Sequence, residues 1–216
     1  MPLAQGGVAR LGGRPPVSDA ARREQREKIS RVAVRLFRDQ GVAGTSGLQI
    51  AKSAGVSERT LWRLFRSKES CVEPLLSKTL DAFRDVLRTW PAESDLGKHL
   101  RASYAFLPDD SRADIDAVLS VVRMSRDEAG LRAVWLVLQE RAEPTFADVL
   151  AARFGLSPDS PKVRLAAASM NAALRVVTDD FAWAAASTMD TEELNRHRRR
   201  VANALRIPAH ILSADD

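Results

Sequence analysis

Cysteine is almost absent from this chain of 216 residues: Cys71 is the only one, so no intrachain disulfide bond can form. A lone cysteine is consistent with a reducing compartment. Long apolar runs are also absent, and none approaches the roughly 20 residues that a membrane-spanning helix needs. The N-terminal residues lack the apolar stretch of a secretory signal. We therefore expect a cytoplasmic protein that does not enter a membrane.

Residues that commonly catalyse reactions are scarce. The three histidines are scattered, and we expect the last two to lie on an exposed, basic C-terminal segment: His99, His197 and His210. The sequence has no HExxH or GxSxG motif, no phosphate-binding loop and no metal-spaced set of Cys and His. Its acidic pairs are better explained as helix caps and surface charge: Asp109–Asp110 and Asp179–Asp180. We expect no enzyme activity, no metal ion and no cofactor.

Helical periodicity runs through the chain, without strand-like alternation or an internal repeat. Beyond residue 67 the spacing of apolar residues, proline and glycine predicts six helices: 68–90, 94–107, 111–125, 128–154, 161–187 and 191–206. Pro144 predicts a kink or a break in the fourth of these. The predicted fold class is all-α.

The most informative stretch is TSGLQIAKSAGVSERTLWRLFRSKES, residues 45–70. Ser46 and Gln49 fit a capping box at the start of a short helix. Gly55 can take the left-handed conformation that ends it, and Ser57 is a good N-cap for the next helix. Two short helices joined by a glycine turn are the layout of a DNA-reading helix-turn-helix.

Each of these short helices has an apolar and a polar side. Leu48, Ala51 and Val56 can share one buried face, and Leu61, Leu64 and Phe65 form the core-facing stripe of the second helix. The opposite side of the second helix holds Glu58, Arg59, Trp62, Arg63 and Arg66. Charged helix faces are often merely solvated, so spacing alone leaves both a DNA-binding and a solvated surface open.

Charge is unevenly distributed along the chain. Residues 1–70 contain 14 Lys and Arg against 6 Asp and Glu, whereas residues 71–216 contain 19 against 22. Such asymmetry indicates that the N-terminal part meets a polyanion, and phosphate neutralisation supplies most non-specific DNA affinity. A membrane surface is a weaker interpretation, because a three-helix core needs the Leu and Phe positions and leaves no broad exposed apolar face.

Residues 25–75 resemble the DNA-binding segment of TetR-type transcriptional regulators. The resemblance is carried by Gly41, Thr45, Ile50-Ala51, Ala54-Gly55-Val56-Ser57, Thr60-Leu61, Trp62, Phe65 and Ser67-Lys68-Glu69. It implies an N-terminal three-helix helix-turn-helix domain followed by a C-terminal helical bundle for ligand binding and dimerisation. We accordingly predict a disordered basic tail at residues 1–18, the DNA-binding domain at 19–67 and the helical ligand-binding and dimerisation domain at 68–216.

The DNA contacts can be assigned residue by residue. On the recognition helix, Arg59, Thr60 and Arg63 are predicted to reach base edges, because arginine paired with guanine is the commonest specific contact. Phosphate contacts are predicted for Thr45, Ser46, Trp62 and Lys68. Arg10 and Arg14 belong either to a disordered leader or to a basic arm along the DNA. Arg22, Arg23 and Arg26 are expected to start the first helix, within reach of the DNA backbone.

Two positions depart from the pattern of the family that the segment resembles. The family usually has Tyr where this chain has Trp62, and an indole N–H is a donor with a different geometry from a phenol. Gly47 falls in the first turn of the first short helix, although glycine is a weak helix former. Both departures concern the detail of the DNA contacts.

The predicted helix 161–187 is apolar around most of its circumference, which is typical of a buried helix. A chain of this size cannot cover such a helix alone, so we predict a homodimer. The resemblance implies the same, with pairing through the last two long helices. Asn171, Arg175 and Asp179 form one polar stripe on this helix. One explanation is an Arg–Asp pair at the dimer interface or at its solvent edge. The other is that these residues line a ligand cavity.

A ligand cavity in the C-terminal domain is implied by the same resemblance. Candidate lining residues are Tyr104, Phe106, Arg123, Trp135, Phe146, Asn171 and Arg175, although core packing is the commoner use of helical aromatics. The predicted function is a ligand-responsive repressor that a small, largely apolar, acyl-CoA-like effector releases from a near-palindromic operator. The alternatives are a non-specific structural DNA-binding protein and, less well supported, a helical enzyme.

Overall fold

The computed structural model describes residues 18–91, 93–107, 111–184 and 190–206, and all regular structure in those ranges is helical. The predicted tail, apart from Ser18, lies outside the described residues, as does His210. Nine α-helices and one 3-10 turn are found there, with bounds close to those predicted. Within this part of the chain, no helix is both long and apolar enough to cross a membrane.

Three helices form the N-terminal domain: α1 (Asp19–Gln40), α2 (Gly47–Ala54) and α3 (Glu58–Leu64). Their shared core contains Ile29, Phe37, Ile50 and Leu61, all at most 1% exposed. The prediction that Leu48 lies on the buried face was wrong, because its side chain is 60% exposed. The inward stripe of α2 consists of Ile50, Ala51 and Ala54, and Leu48 points away from it.

The predicted helix 68–90 is divided in two. A 3-10 turn covers Glu69–Val72, and α4 then runs from Glu73 to Arg88. Pro74 stands in the first turn of α4, where its missing N–H costs nothing, but it cannot continue an α-helical hydrogen-bond ladder from residue 70. The chain therefore changes helix type just before α4.

The C-terminal domain contains five further helices: α5 (Leu96–Ser103), α6 (Arg112–Met124), α7 (Ala129–Phe154), α8 (Pro161–Ala184) and α9 (Thr191–Ala204). The helix α7 packs against α4 and α8, while α9 packs against α5 and α8. Pro144 lies within α7 and does not break it. Phe83 of α4 makes edge contacts with Tyr104 and Phe146, at centroid distances of 6.0 and 5.2 Å.

Candidate DNA interface and the core behind it

The helix-turn-helix has the local geometry that its sequence predicts. The Ser46 hydroxyl accepts from the Gln49 N–H while the Gln49 side chain accepts from the Ser46 N–H, which completes the capping box. Gly55 ends α2 in the left-handed region, at a φ of 72°. Ser57 caps α3 by accepting a hydrogen bond from the Thr60 N–H. These caps fix where α2 begins and ends and where α3 begins, since each satisfies backbone groups that a short helix leaves unpaired.

The outer face of α3 presents two exposed guanidinium groups. Arg59 and Arg63 stand four residues apart, hence on one side of the helix, and neither makes an ion pair within the described residues. Thr60 is half-buried, and its hydroxyl shares a hydrogen bond with that of Ser57. Two unpaired arginines at one helical spacing can each bind a guanine edge or a phosphate.

Trp62 shares this face and is 43% exposed. Its indole N–H donates to the Glu58 carboxylate at 3.2 Å, so the proposed phosphate donor already has a partner on the same helix. The ring packs over Gly47 of α2, where a Cβ would overlap it. The two departures from the pattern that the segment resembles are thus in contact with each other.

The structure gives Thr45 a role other than the expected phosphate contact. Its side chain is 2% exposed, and its hydroxyl donates to the Gly41 carbonyl at 2.8 Å and accepts from the Gln40 amide at 3.2 Å. Both bonds close the loop between α1 and α2. A buried hydroxyl that is engaged in this way does not reach a phosphate, which corrects the prediction for the Thr45 side chain.

Lys68 also serves the α1–α2 loop. Its ammonium group donates to the carbonyls of Val42 and Thr45, at 2.6 and 2.9 Å. An ammonium group has three protons, so one is left for a phosphate oxygen. A phosphate contact by Lys68 stays a prediction, as does one by Ser46, whose exposed hydroxyl proton is not used by its cap.

One of the N-terminal arginines is a structural residue. Arg26 donates from its guanidinium to the Leu64 carbonyl at 2.5 Å, and its charge lies 4.6 Å from the centre of the Phe65 ring. It thereby supports the C-terminal end of the recognition helix from α1. The expected contact of Arg26 with the DNA backbone stays a prediction, and no local pattern in the sequence signals its contact with α3.

A buried carboxylate joins the two domains. Asp114 of α6 is 2% exposed. Its carboxylate accepts hydrogen bonds from Nε and Nη2 of Arg31 on α1, at 2.6 and 2.7 Å, and from the Lys78 ammonium on α4, at 3.0 Å. The hydrogen bond from Arg31 is the main reason that the pKa of Asp114 is lowered. Sequence reasoning missed this site, because no periodicity marks a charge that pairs across 83 residues.

The polar stripe of α8 is held by α7. Arg175 pairs with Asp179 at 3.5 Å, which confirms the Arg–Asp pair considered above. Asp179 also accepts from the Trp135 indole at 3.1 Å and from Arg132 at 3.2 Å, and it is 4% exposed. The prediction that the Asp179–Asp180 pair is surface charge was therefore wrong for Asp179. The Asn171 amide donates to the Gln139 carbonyl at 2.9 Å.

The predicted ligand residues do not line a single cavity. Phe146 lies at a groove of about 300 Å³ between α4 and α7. Arg123 lies at another, of about 460 Å³, between α6 and the end of α1. Tyr104 and Phe106 line a third space, of about 120 Å³, against α9. The remaining three, Trp135, Asn171 and Arg175, belong to the α7–α8 contact just described.

His197 is buried rather than exposed, which corrects the sequence prediction. It is 1% exposed, and its ring stacks on Phe181 at a centroid distance of 4.3 Å. Burial, with a smaller contribution from Arg200, lowers its pKa to about 3. The basic composition of residues 196–200 suggested an exposed segment, but His197 is the one fully buried residue among these five.

Comparison with known proteins identifies the relatives of this chain. Residues 29–75 match the family described as "Bacterial regulatory proteins, tetR family". The chain is 30% identical over 180 residues to the HTH-type transcriptional regulator TcmR of Streptomyces glaucescens, which covers 80% of this chain and 79% of the relative. It is 32% identical over 115 residues to the HTH-type transcriptional repressor KstR2 of Rhodococcus jostii (strain RHA1), covering 53% and 55%.

Solved structures share the fold over most of their length. Salmonella enterica GusR aligns with a TM-score of 0.55 at 18% identity, over 92% of this chain and 99% of its own. Thermus thermophilus FadR, solved in complex with lauroyl-CoA, aligns with a TM-score of 0.51 at 22% identity, over 87% and 93%. At these identities the similarity supports the architecture alone.

Proposed function

Because the chain belongs to the TetR family of bacterial regulatory proteins, we propose that it is a repressor that binds operator DNA as a homodimer. A small, largely apolar effector in the C-terminal domain releases it. The observation that carries the proposal is the outer face of α3, where Arg59 and Arg63 are exposed and unpaired among the described residues. Two unpaired arginines on one face of a helix in a basic domain are better explained by contact with DNA than by solvation alone.

The proposed DNA interface divides into reading and positioning groups. Arg59 and Arg63 are the base readers, with the partly exposed Thr60 beside them. Ser46 and Lys68 are the proposed phosphate contacts at either end of the helix-turn-helix. Trp62 is proposed to approach the backbone by its ring edge, since its N–H is held by Glu58.

Dimerisation is supported by an apolar face that one protomer leaves uncovered. On α8 the side chains of Leu165, Val176 and Trp183 are 57, 48 and 44% exposed, and on α7 those of Leu136 and Val137 are 42 and 40% exposed. Trp135 of α7 bonds to Asp179 of α8, so Leu136 and Val176 lie at the same level of this antiparallel pair. A contiguous exposed apolar surface of this kind is typical of a subunit interface.

The proposed effector site is the groove between α4 and α7. Its lining includes the apolar Leu80, Leu138 and Phe146. Two arginines, Arg84 and Arg141, and two carboxylates, Glu73 and Asp81, also line it. Because α4 follows the DNA-binding domain directly, a ligand that wedges α4 from α7 would move the recognition helix. Apolar walls beside an arginine suit an acyl chain with an anionic head, and lauroyl-CoA is the molecule bound to the similar FadR fold.

The first experiment measures fluorescence anisotropy on DNA from upstream of the protein's own gene and on random DNA of equal length, across a salt series. We expect tight binding to the upstream fragment that survives moderate salt. Replacing Arg63 by Ala should cost about 1–3 kcal/mol on the operator and relax base preference. An equal loss on both DNAs would contradict base reading by Arg63.

The effector is tested on the preformed complex with lauroyl-CoA, and with coenzyme A alone as the control for the head group. Release by the first and not by the second supports an acyl-chain site. Equal, steeply salt-dependent binding to both DNAs would instead favour the non-specific structural DNA-binding protein. An enzyme is the least supported alternative, since the similar proteins are transcriptional regulators.

A further inference from the structure

A small pocket, partly open to solvent, lies on the side of the C-terminal domain formed by α9. It has a volume of about 120 Å³ and is bounded by α9, by the segment after α5 and by the first residue of α6. At roughly 30 Å³ per molecule this is room for about four waters. Its lining shares no residue with the groove between α4 and α7, so it is separate from the proposed effector site.

The polar groups that line this space are basic or neutral. They include the His197 imidazole and the guanidinium groups of Arg112 and Arg198, and none of the described lining residues is acidic. Both ring nitrogens of His197 and the Nε of Arg198 are buried and have no hydrogen-bond partner among the described residues. Buried polar atoms without partners are costly, at about 1–3 kcal/mol each, which points to a missing group that bonds to them.

The other lining residues are the apolar or aromatic Phe106, Tyr104 and Leu194 and the neutral, polar Thr191 and Asn195. Phe106 packs edge-on against His197 at a centroid distance of 5.4 Å, and the Tyr104 ring lies 6.1 Å from it. The space therefore combines basic, donor-rich groups with hydrocarbon surfaces. A neutral imidazole can donate one N–H, and a guanidinium donates in the plane that a carboxylate accepts.

We propose that this space is a binding site for a short-chain carboxylate of about two to four carbon atoms, with its carboxylate on His197 and Arg198 and its alkyl end against Phe106 and Leu194. The small volume favours short chains over long chains and bulky head groups. Phe106 and Leu194 offer no hydrogen bond to the far oxygens of an inorganic oxyanion, which disfavours such ions. The site stands independently of operator binding, because none of its residues belongs to the DNA-binding domain.

The test is a saturation-transfer-difference NMR titration of the full-length protein with sodium propionate, at constant ionic strength. Acetate and butyrate are run alongside, with 1-propanol as the neutral analogue and phosphate as the inorganic oxyanion. We expect the carboxylates to bind saturably, and we expect neither 1-propanol nor phosphate to do so. No saturable propionate signal would overturn the site, and equal binding of 1-propanol or phosphate would overturn its assignment to carboxylates.

Two matched variants locate the site. Arg198→Gln removes the inward guanidinium, whereas Arg196→Gln removes the same charge from an exposed position of the same helix. We expect Arg198→Gln to weaken propionate binding about tenfold or more, the loss typical of one charged hydrogen bond, and Arg196→Gln to change it little. Equal weakening by both would mean that only the general charge of α9 attracts the anion, and the proposal would fail.

A third variant guards against loss of folding. His197→Gln keeps a polar side chain of similar size in the aromatic surroundings, and its far-ultraviolet circular dichroism is compared with that of the unsubstituted protein. A folded His197→Gln variant that binds propionate with unchanged affinity would exclude the imidazole from the site. If it does not fold, the Arg198→Gln and Arg196→Gln pair still decides the outcome.

Discussion

Gly47 at the start of α2 lies directly beneath the indole ring of Trp62 on α3, so closely that a Cβ at residue 47 would overlap the six-membered part of the ring. The contact spans the helix-turn-helix from its first helix to its second. A large ring at position 62 requires the smallest residue at position 47. The two departures from the pattern of the family are therefore one compensated pair.

Gly47→Ala should consequently lower the free energy of unfolding, whereas the same substitution usually raises it in a helix. Alanine is ordinarily favoured over glycine by up to about 1 kcal/mol, but overpacking against Trp62 should cost about 1–3 kcal/mol. We expect a net loss in the free energy of unfolding measured in urea. In a Trp62→Ala background the same change should stabilise the protein. Additive effects of the two substitutions would contradict the contact.

Lys68→Met should reduce stability because it removes the donor of the Thr45 carbonyl and one of the two donors of the Val42 carbonyl, while keeping the apolar stem. The expected loss is about 1–3 kcal/mol in the free energy of unfolding. Lys52→Met, at an exposed position of α2, is the matched control, with an expected effect within about 0.5 kcal/mol.

The salt dependence of DNA binding by the Lys68→Met variant separates its two roles. A phosphate contact by the third ammonium proton would lower the slope of log K against log salt by about one. An unchanged slope with lowered stability would show that Lys68 supports the loop alone. Equal stability of the Lys68→Met and Lys52→Met variants would contradict the structural role.

Asp114→Asn should loosen the junction between α1, α4 and α6. The substitution keeps the shape of the side chain but removes the charge that Arg31 and Lys78 share, and we expect a loss of about 2 kcal/mol in the free energy of unfolding. Asp116→Asn is the control on the same helix, since its partner Arg38 is 48% exposed and the pair should contribute less than about 1 kcal/mol. Similar losses for both variants would argue against a special role for Asp114.

The buried His197 predicts that acidification destabilises the protein. Its pKa is about 3 in the folded state and near 6.5 when unfolded, so the unfolded chain binds more protons between these values. The contribution of His197 to the free energy of unfolding is fully present above about pH 6.5. Below that pH it falls by up to about 1.4 kcal/mol per pH unit. Urea unfolding at pH 7.5 and 5.5 measures the change, and His197→Gln should remove most of it. Asp114 contributes in the same direction, but only at lower pH, because its ordinary pKa is 3.8.

Local signals in the sequence were sufficient for the fold and for the frame of the site. The capping box at Ser46 and the left-handed Gly55 depend on neighbouring residues only, and both were predictable. Contacts between distant residues were not. Asp114, whose partner Arg31 is 83 positions away, and His197, which is inside a run of arginines, follow from how the helices pack rather than from their periodicity.

The same distinction explains the ligand residues. Aromatic side chains at helical spacing predict burial, which Tyr104, Trp135 and Phe146 have. Which of them meet depends on the packing of α4, α7 and α9, and the structure distributes them over separate spaces. The role of Trp135 could not be inferred from its residue type, since its indole N–H donates to Asp179 within the α7–α8 contact.

Val176→Glu should abolish dimerisation without unfolding the protomer. Val176 is 48% exposed in the single chain, so a charge there meets water in the monomer but would be buried without a partner in the proposed α7–α8 interface. Sedimentation equilibrium at micromolar concentration should show a dimer for the unsubstituted protein and a monomer for the variant. Leu48→Glu, at an exposed apolar position of the DNA-binding domain, should remain dimeric.

Loss of the dimer should carry over to DNA. Two linked recognition helices bind a near-palindromic operator with an affinity gain of about 100-fold or more over one, because the second contact is made at high effective concentration. The Val176→Glu variant should therefore lose that factor on the operator while its α3 is unchanged. If the variant sedimented as a dimer, the exposed face of α7 and α8 would not be the subunit interface, and the operator would have to be read by a different pairing of protomers.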